Sequence, residues 1–245
     1  MTEATIAPAK PLVLRTSIGK KYAMAASGVI LVGFVIAHMI GNLQVYLGPE
    51  VFNHYAETLR ELGHGMLLWV ARAGLLVAVA LHIWSAWRLT VMNNAARAVG
   101  YREVERRESS YASRTMRWSG VILLLFIVYH LLHFTVGVHA VHPHFVPGDA
   151  YHNFVTGFQN PLVSGFYILA MLALGLHLYH GAWSFMQTLG LSHPRYDHLR
   201  YAFAGLVTLV ILAGNISFPV AVLTGYVHEQ ADPGTRTAQQ AGERR

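Results

Sequence analysis

Fifteen histidines and no cysteine set the metal-binding chemistry open to this 245-residue chain. Without cysteine it forms no disulfide, zinc–thiolate site or iron–sulfur cluster of its own. A metal would have to be held by His, Met or carboxylate. Six histidines fall inside long apolar runs: His38, His82, His130, His133, His177 and His180. An ionisable side chain at such a position is costly and marks a functional hypothesis. Neutral imidazole is a good axial ligand for haem iron. The other nine lie between the runs and read as solvated loop residues. The stretch HAVHPH (139–144) could hold a surface metal, but a solvated loop is the simpler reading.

The elements that must position these residues are membrane spans. The chain is 54% hydrophobic and 12% charged, with a mean hydropathy of +0.39. A soluble domain carries about 25% charged residues. A bilayer core of ~30 Å needs about 20 apolar residues in a helix. Five runs qualify, at residues 22–47, 66–92, 116–141, 161–189 and 201–226. Spans this long predict an all-α, five-helix integral membrane bundle, since barrel strands are shorter and alternate. Residues 1–20 read as a cytoplasmic N-terminal segment without a signal peptide. Residues 21–228 read as the membrane domain, and 229–245 as a polar, disordered tail.

The net charge of +6 does not point to nucleic acid, because it sorts by loop. Lys10, Arg15, Lys20 and Lys21 precede the first run. Arg97, Arg102, Arg106, Arg107, Arg114 and Arg117 lie in the region that joins the second run to the start of the third, and Arg195 and Arg200 between the fourth and fifth. The first–second loop has Arg60 and three Glu, and the third–fourth loop has no Lys or Arg. The positive-inside rule then places the N-terminus in the cytoplasm; the expected location is a bacterial inner membrane. Tyr22, Tyr46, Trp69, Trp118 and Tyr226 near the run ends suit the membrane interface. Pro219 is expected to kink the fifth span, with Asn215 and Ser217 satisfying freed backbone groups.

Depth separates the histidines. At ~1.5 Å per residue, His38 lies roughly 25 Å past Lys21 and His130 roughly 20 Å past Arg117. His82 lies roughly 9 Å before Arg88, and His177 roughly 15 Å before Gln187. The set therefore sorts into an outer pair, His38 with His130, and an inner pair, His82 with His177. Each pair draws on two helices, and two bis-histidine haems b use all four. Small residues flank them: Ala170, Ala173, Gly181 and Ser184 in the fourth span, and Ala78, Ser85 and Ala86 in the second. His133 and His180, one turn from His130 and His177, are candidate haem-propionate or quinone contacts. Arg72 and Arg88 are candidate propionate partners at the outer and inner ends; snorkelling to the interface is the competing reading for Arg88.

The segments KKYAMAASG…HMIGN, LHIWSAW, VYHLLHF and LVSGFYILAMLALGLHLYHGAWSF resemble the di-haem cytochrome b558 anchors of succinate dehydrogenase and fumarate reductase, over about residues 15–225. The resemblance assigns His38, His82, His130 and His177 as axial ligands of the haem irons. It implies a flavoprotein and an iron–sulfur subunit as partners, with membrane quinone, expected to be menaquinone, as substrate. Such a subunit does no chemistry on succinate itself and serves electron transport linked to the tricarboxylic acid cycle. Two other readings stand beside it. One is a haem b anchor for another quinone-linked dehydrogenase or hydrogenase. The other is a haem-free proton-coupled transporter, a class that often shows internal repeats; none is apparent on this reading.

Overall fold

A computed structural model describes residues 16–96 and 111–230. Lys10, Arg15, Arg97, Arg102, Arg106, Arg107 and the expected disordered tail beyond residue 230 lie outside the described residues. Five helices are long and apolar enough to cross a membrane, and no strand occurs among the described residues.

The first span, α1 (Ser17–Leu43), starts where the Thr16 hydroxyl accepts the Gly19 amide at 2.9 Å. That side chain satisfies one of the unpaired N–H groups every helix start leaves. The span tightens into a 3-10 turn (Gln44–Leu47) and stops at Gly48, whose φ of +98° favours glycine. A second span, α3 (Met66–Ala95), and a third, α4 (Tyr111–His130), follow. The fourth, α6 (Pro161–Thr188), opens with Asn160 capping the Leu162 amide and Pro161 in the first turn, where a missing N–H costs nothing. The fifth, α7 (Asp197–Leu223), runs on through Pro219. Near that proline, Asn215 donates to the Ile211 carbonyl at 2.9 Å and Ser217 to that of Gly214 at 2.7 Å.

Two short helices were not expected from the sequence: α2 (Pro49–Glu61) and α5 (Ala150–Gln159). Both are too short to span a bilayer. They pack against each other as a cap over one end of the bundle. Asn53 ties them, donating to Asp149 Oδ1 at 3.0 Å and accepting the Tyr151 amide at 2.8 Å. Phe52 of α2 meets Phe154 of α5 edge to face at 5.5 Å. The third span also ends earlier than expected. After His130 the helix widens into a π turn (Leu131–Val136), and Gly137, at φ +67°, turns the chain away, so the helix is replaced by irregular chain and a turn at 139–141.

Pairing of the spans is simple. Helix α1 packs chiefly on α3, α4 on α6, and α7 on α6. The buried hydrophobic core gathers toward the capped end, around Met39, Phe126, Phe154, Tyr167 and Phe218. Only 6% of the apolar window of α3 is buried within the protein, against 33% for α6 and for α7. The rest of that surface is apolar, which suits hydrocarbon.

Candidate functional site

The helix pairing brings the intramembrane histidines together two by two. His38 of α1 meets His130 at the end of α4, with ring centroids 5.8 Å apart and planes crossed at 84°. His82 of α3 meets His177 of α6, with centroids 6.1 Å apart and planes at 57°. The two pairs lie at different heights. His82 is bonded to the Met24 turn of α1, whereas His38 lies eleven residues beyond Ser27, or about 16 Å along the helix. We call the His82–His177 pair the near pair, toward Ser17, and the His38–His130 pair the far pair, beneath the α2–α5 cap.

At the near pair both rings are held by Nδ1. The His82 Nδ1–H faces the Met24 carbonyl at 3.2 Å and Ser27 Oγ at 3.3 Å. The His177 Nδ1–H faces Ser119 Oγ at 3.2 Å. Each serine hydroxyl proton is spent on its own helix: Ser27 donates to Ala23 O at 2.7 Å, and Ser119 to Met116 O at 3.0 Å. Their oxygens are therefore the acceptors for the imidazoles. Nδ1 is occupied in both rings and Nε2 is left for a ligand.

The far pair is held differently. Phe34 stacks on His38 at 5.4 Å, and Phe126 lies against His130 at 5.7 Å. His38 Nε2 meets the Asn42 amide at 3.2 Å. A half-turn of that imidazole would exchange its two nitrogens. Tyr167 of α6 serves two histidines with one hydroxyl: His133 Nδ1 at 2.9 Å and His130 Nδ1 at 3.3 Å. A hydroxyl donates one proton, so one histidine accepts and the other donates. The shorter contact suits donation from Tyr167 to His133. His130 then carries its proton on Nδ1 and leaves Nε2 for a ligand.

Beyond the far pair the polar chain continues into the cap. His133 is 1% exposed and its ring lies 4.6 Å from that of His142. His142, 2% exposed, donates from Nδ1 to the His133 carbonyl at 3.1 Å, and its Nε2 meets Thr156 Oγ1 at 3.1 Å. His152 pairs with Glu229 and reaches the His144 carbonyl at 2.9 Å. His54, His152 and His198, expected in loops, are on α2, α5 and α7. Burial holds the His142 imidazole below its ordinary value; the His133 carbonyl opposes this, and nearby His152 and His144 reinforce it. A histidine with a depressed folded value opposes folding once it must charge. The stability of the cap is therefore full at neutral pH and falls as pH drops below about 6.5. Hydrogen exchange of 137–149 should accelerate between pH 7 and 5, and H142Q should flatten that dependence.

The remaining candidates are scattered. Arg72 is half-buried, its guanidinium 5.0 Å over Trp69, and Arg88 is exposed. His180 packs edge to face on Trp183 at 4.7 Å. The sequence reading treated Arg200 only as a loop charge. It is in fact 6% exposed, paired with Asp197 at 3.2 Å, and stacked on Trp183 at 5.5 Å. Its signal was its position, within the first turn of an apolar helix. Among the described residues, Ser85 Oγ, His180 Nδ1, Trp183 Nε1, Arg200 Nε and Thr208 Oγ1 are buried without a hydrogen-bond partner. Ser27, Ser119 and Tyr167 were also missed, because small hydroxyls and a tyrosine inside a span look like ordinary packing residues.

The donor set fits a haem. Two metal–imidazole bonds of about 2 Å each, plus the two ring radii, span roughly 6 Å; the centroid spacings are 5.8 and 6.1 Å. No group of three or more His, Cys, Asp or Glu side chains suited to a metal occurs among the described residues. Among the described residues, a metal at either pair would thus take two ligands, the number a bis-histidine haem needs.

Fold and site define a multi-pass helical membrane protein with two histidine pairs at two depths. Residues 101–214 match the family described as "Succinate dehydrogenase/Fumarate reductase transmembrane subunit". That match supports assigning the chain to this family and indicates a membrane subunit of this enzyme class. No curated protein and no solved structure matches it.

Proposed function

We propose that the chain is a di-haem cytochrome b anchor that passes electrons between an iron–sulfur partner subunit and membrane quinone. The observation that carries this reading is the convergence of four histidines into two pairs, each from two helices, each spaced for one metal. His82 with His177 would hold one haem b, and His38 with His130 the other. When bound, the haems supply one-electron transfer across the span of the bundle.

The chain's own residues do the rest. Ser27, Met24 and Ser119 hold the near imidazoles with their protons on Nδ1. Tyr167 does the same for His130. Helix α2 reaches the far end of α1 through Tyr55 beside Gly41, and α5 comes up against His133 at Gly157. Haem propionates are anions that need partners when buried. Arg72 and Arg88 remain the proposed partners, and buried Arg200, with His180 and Trp183 beside it, adds a third cation at the near end. His133 and His180 are proposed as propionate or quinone contacts. The partners would be a flavoprotein and an iron–sulfur subunit on the cytoplasmic face of a bacterial membrane, with the N-terminus on that face. Menaquinone is the proposed quinone.

A reduced-minus-oxidised spectrum of the purified complex, with haem quantified per chain, tests the reading. Two haems b per chain are expected. A chain that purifies intact without a Soret band would overturn it.

A further inference from the structure

The near pair exposes a repeat that the sequence reading passed over. Residues 27–38 read SGVILVGFVIAH, and residues 119–130 read SGVILLLFIVYH. Seven of these twelve positions are identical, including the first Ser-Gly, a phenylalanine and the last histidine. The structure gives both copies the same surroundings. Each Ser-Gly opens against the near histidine of the helix its own helix packs on: Ser27 against His82, and Ser119 against His177. A Cβ added to Gly28 would stand 3.4 Å from His82 Cε1, and one added to Gly120 would stand 3.9 Å from His177 Cε1. In each copy the final histidine belongs to the far pair, and the phenylalanine four residues before it lies against its ring. The packed-on helices agree as well, with Ala-x-x-Leu-His at 78–82 and at 173–177. The unit α1–α3 is thus repeated in parallel by α4–α6, and each histidine pair takes one member from each unit.

Building on the di-haem reading, we propose that Ser27 and Ser119 are equivalent positioning residues: their oxygens hold the His82 and His177 rings in the Nδ1–H form and so set the reduction potential of the near haem. The chemistry follows from the geometry already described. Both serine hydroxyls donate backward to their own helix, which aims a lone pair at each imidazole. An acceptor on Nδ1–H fixes the tautomer and ring orientation and raises the basicity of the other nitrogen. A more basic ligand favours the ferric state. Removing the acceptor should therefore raise the potential. The two serines should differ in weight. His82 keeps the Met24 carbonyl at 3.2 Å when Ser27 is lost. Ser119 Oγ is the sole hydrogen-bond acceptor found for His177 Nδ1 among the described residues.

The test is a redox titration of both haems in the full membrane complex, with low-temperature EPR of the ferric low-spin signals. S27A and S119A should raise the midpoint of the same haem and leave the other unchanged. S119A should change the reduction equilibrium several-fold, on a scale where tenfold is 59 mV for one electron. S27A should change it less, and the double variant more than either. S27T and S119T, which keep the oxygen, should return the wild-type midpoint. If S119A fails to assemble, S119C keeps the bulk with a poorer acceptor and should shift the same haem upward. Wild-type midpoints in S119A or S119C, or serines acting on different haems, would overturn the proposal. A wild-type chain without haem would instead overturn the reading beneath it, and the proposal with it.

Discussion

H38A and H130A should each remove the same haem, and H82A and H177A the other, so that every single variant retains about one haem b per chain. This follows from the pairing of rings across helices, with centroids 5.8 Å apart in the far pair and 6.1 Å in the near pair. Losing one of the two imidazoles would leave a haem at that pair with a single protein ligand, a loss that no neighbouring side chain among the described residues makes good. His180 is the nearest alternative at the near end, one turn from His177, but its ring is packed edge to face on Trp183. His133 is the alternative at the far end, but its ring is packed against Phe134 at 4.2 Å and His142 at 4.6 Å. The double variant H38A/H130A should look like either single variant in haem content, while H38A/H82A should carry none. A spectrum in which H38A and H82A lost the same haem would break the pairing.

The spans were legible because hydrocarbon imposes a length and a polarity that any reader of the sequence can measure. Their ends were not. The third run stays apolar to Val141, yet the helix stops at Val136, since a π turn and a left-handed glycine, not a polar residue, end it. Helices α2 and α5 escaped for the opposite reason. Their apolar residues serve a cap held by Asn53 and Asp149, and that packing partner is distant in sequence. The pairing by depth came from counting residues, and the structure places the same rings side by side. What counting could not reach was the set of small hydroxyls around them. Ser27 and Ser119 are 1% and 3% exposed and sit in apolar runs where a serine reads as a tolerated packing residue. Only the partner ring reveals their role, and the partner lies 55 and 58 residues away.

Gly137→Val should uncouple the cap from the bundle. Two independent effects act at this position. The backbone sits at φ +67°, where a side chain costs about 1–2 kcal/mol and a β-branched one more. In addition, a Cβ here would collide with the Phe145 ring, which overpacking data put at about 1–3 kcal/mol. The sum is a large fraction of the stability of a small structural unit. The damage should be local, since Gly137 ends the π turn that carries His133, and Val138 closes that turn by donating to the Leu132 carbonyl at 3.0 Å. When the turn opens, His142 loses the His133 carbonyl it donates to, and Phe145 no longer packs on His142 at 5.6 Å. Residues 137–149 should then become sensitive to proteolysis at neutral pH, a state the wild type approaches only on acidification. G137A should show the backbone cost with a smaller collision and fall between wild type and G137V. The near histidine pair is set by α1, α3, α4 and α6 well away from this turn, so the midpoint and content of a haem held there should stay at wild-type values. The far haem, whose His130 shares Tyr167 with His133, should be the one that shifts.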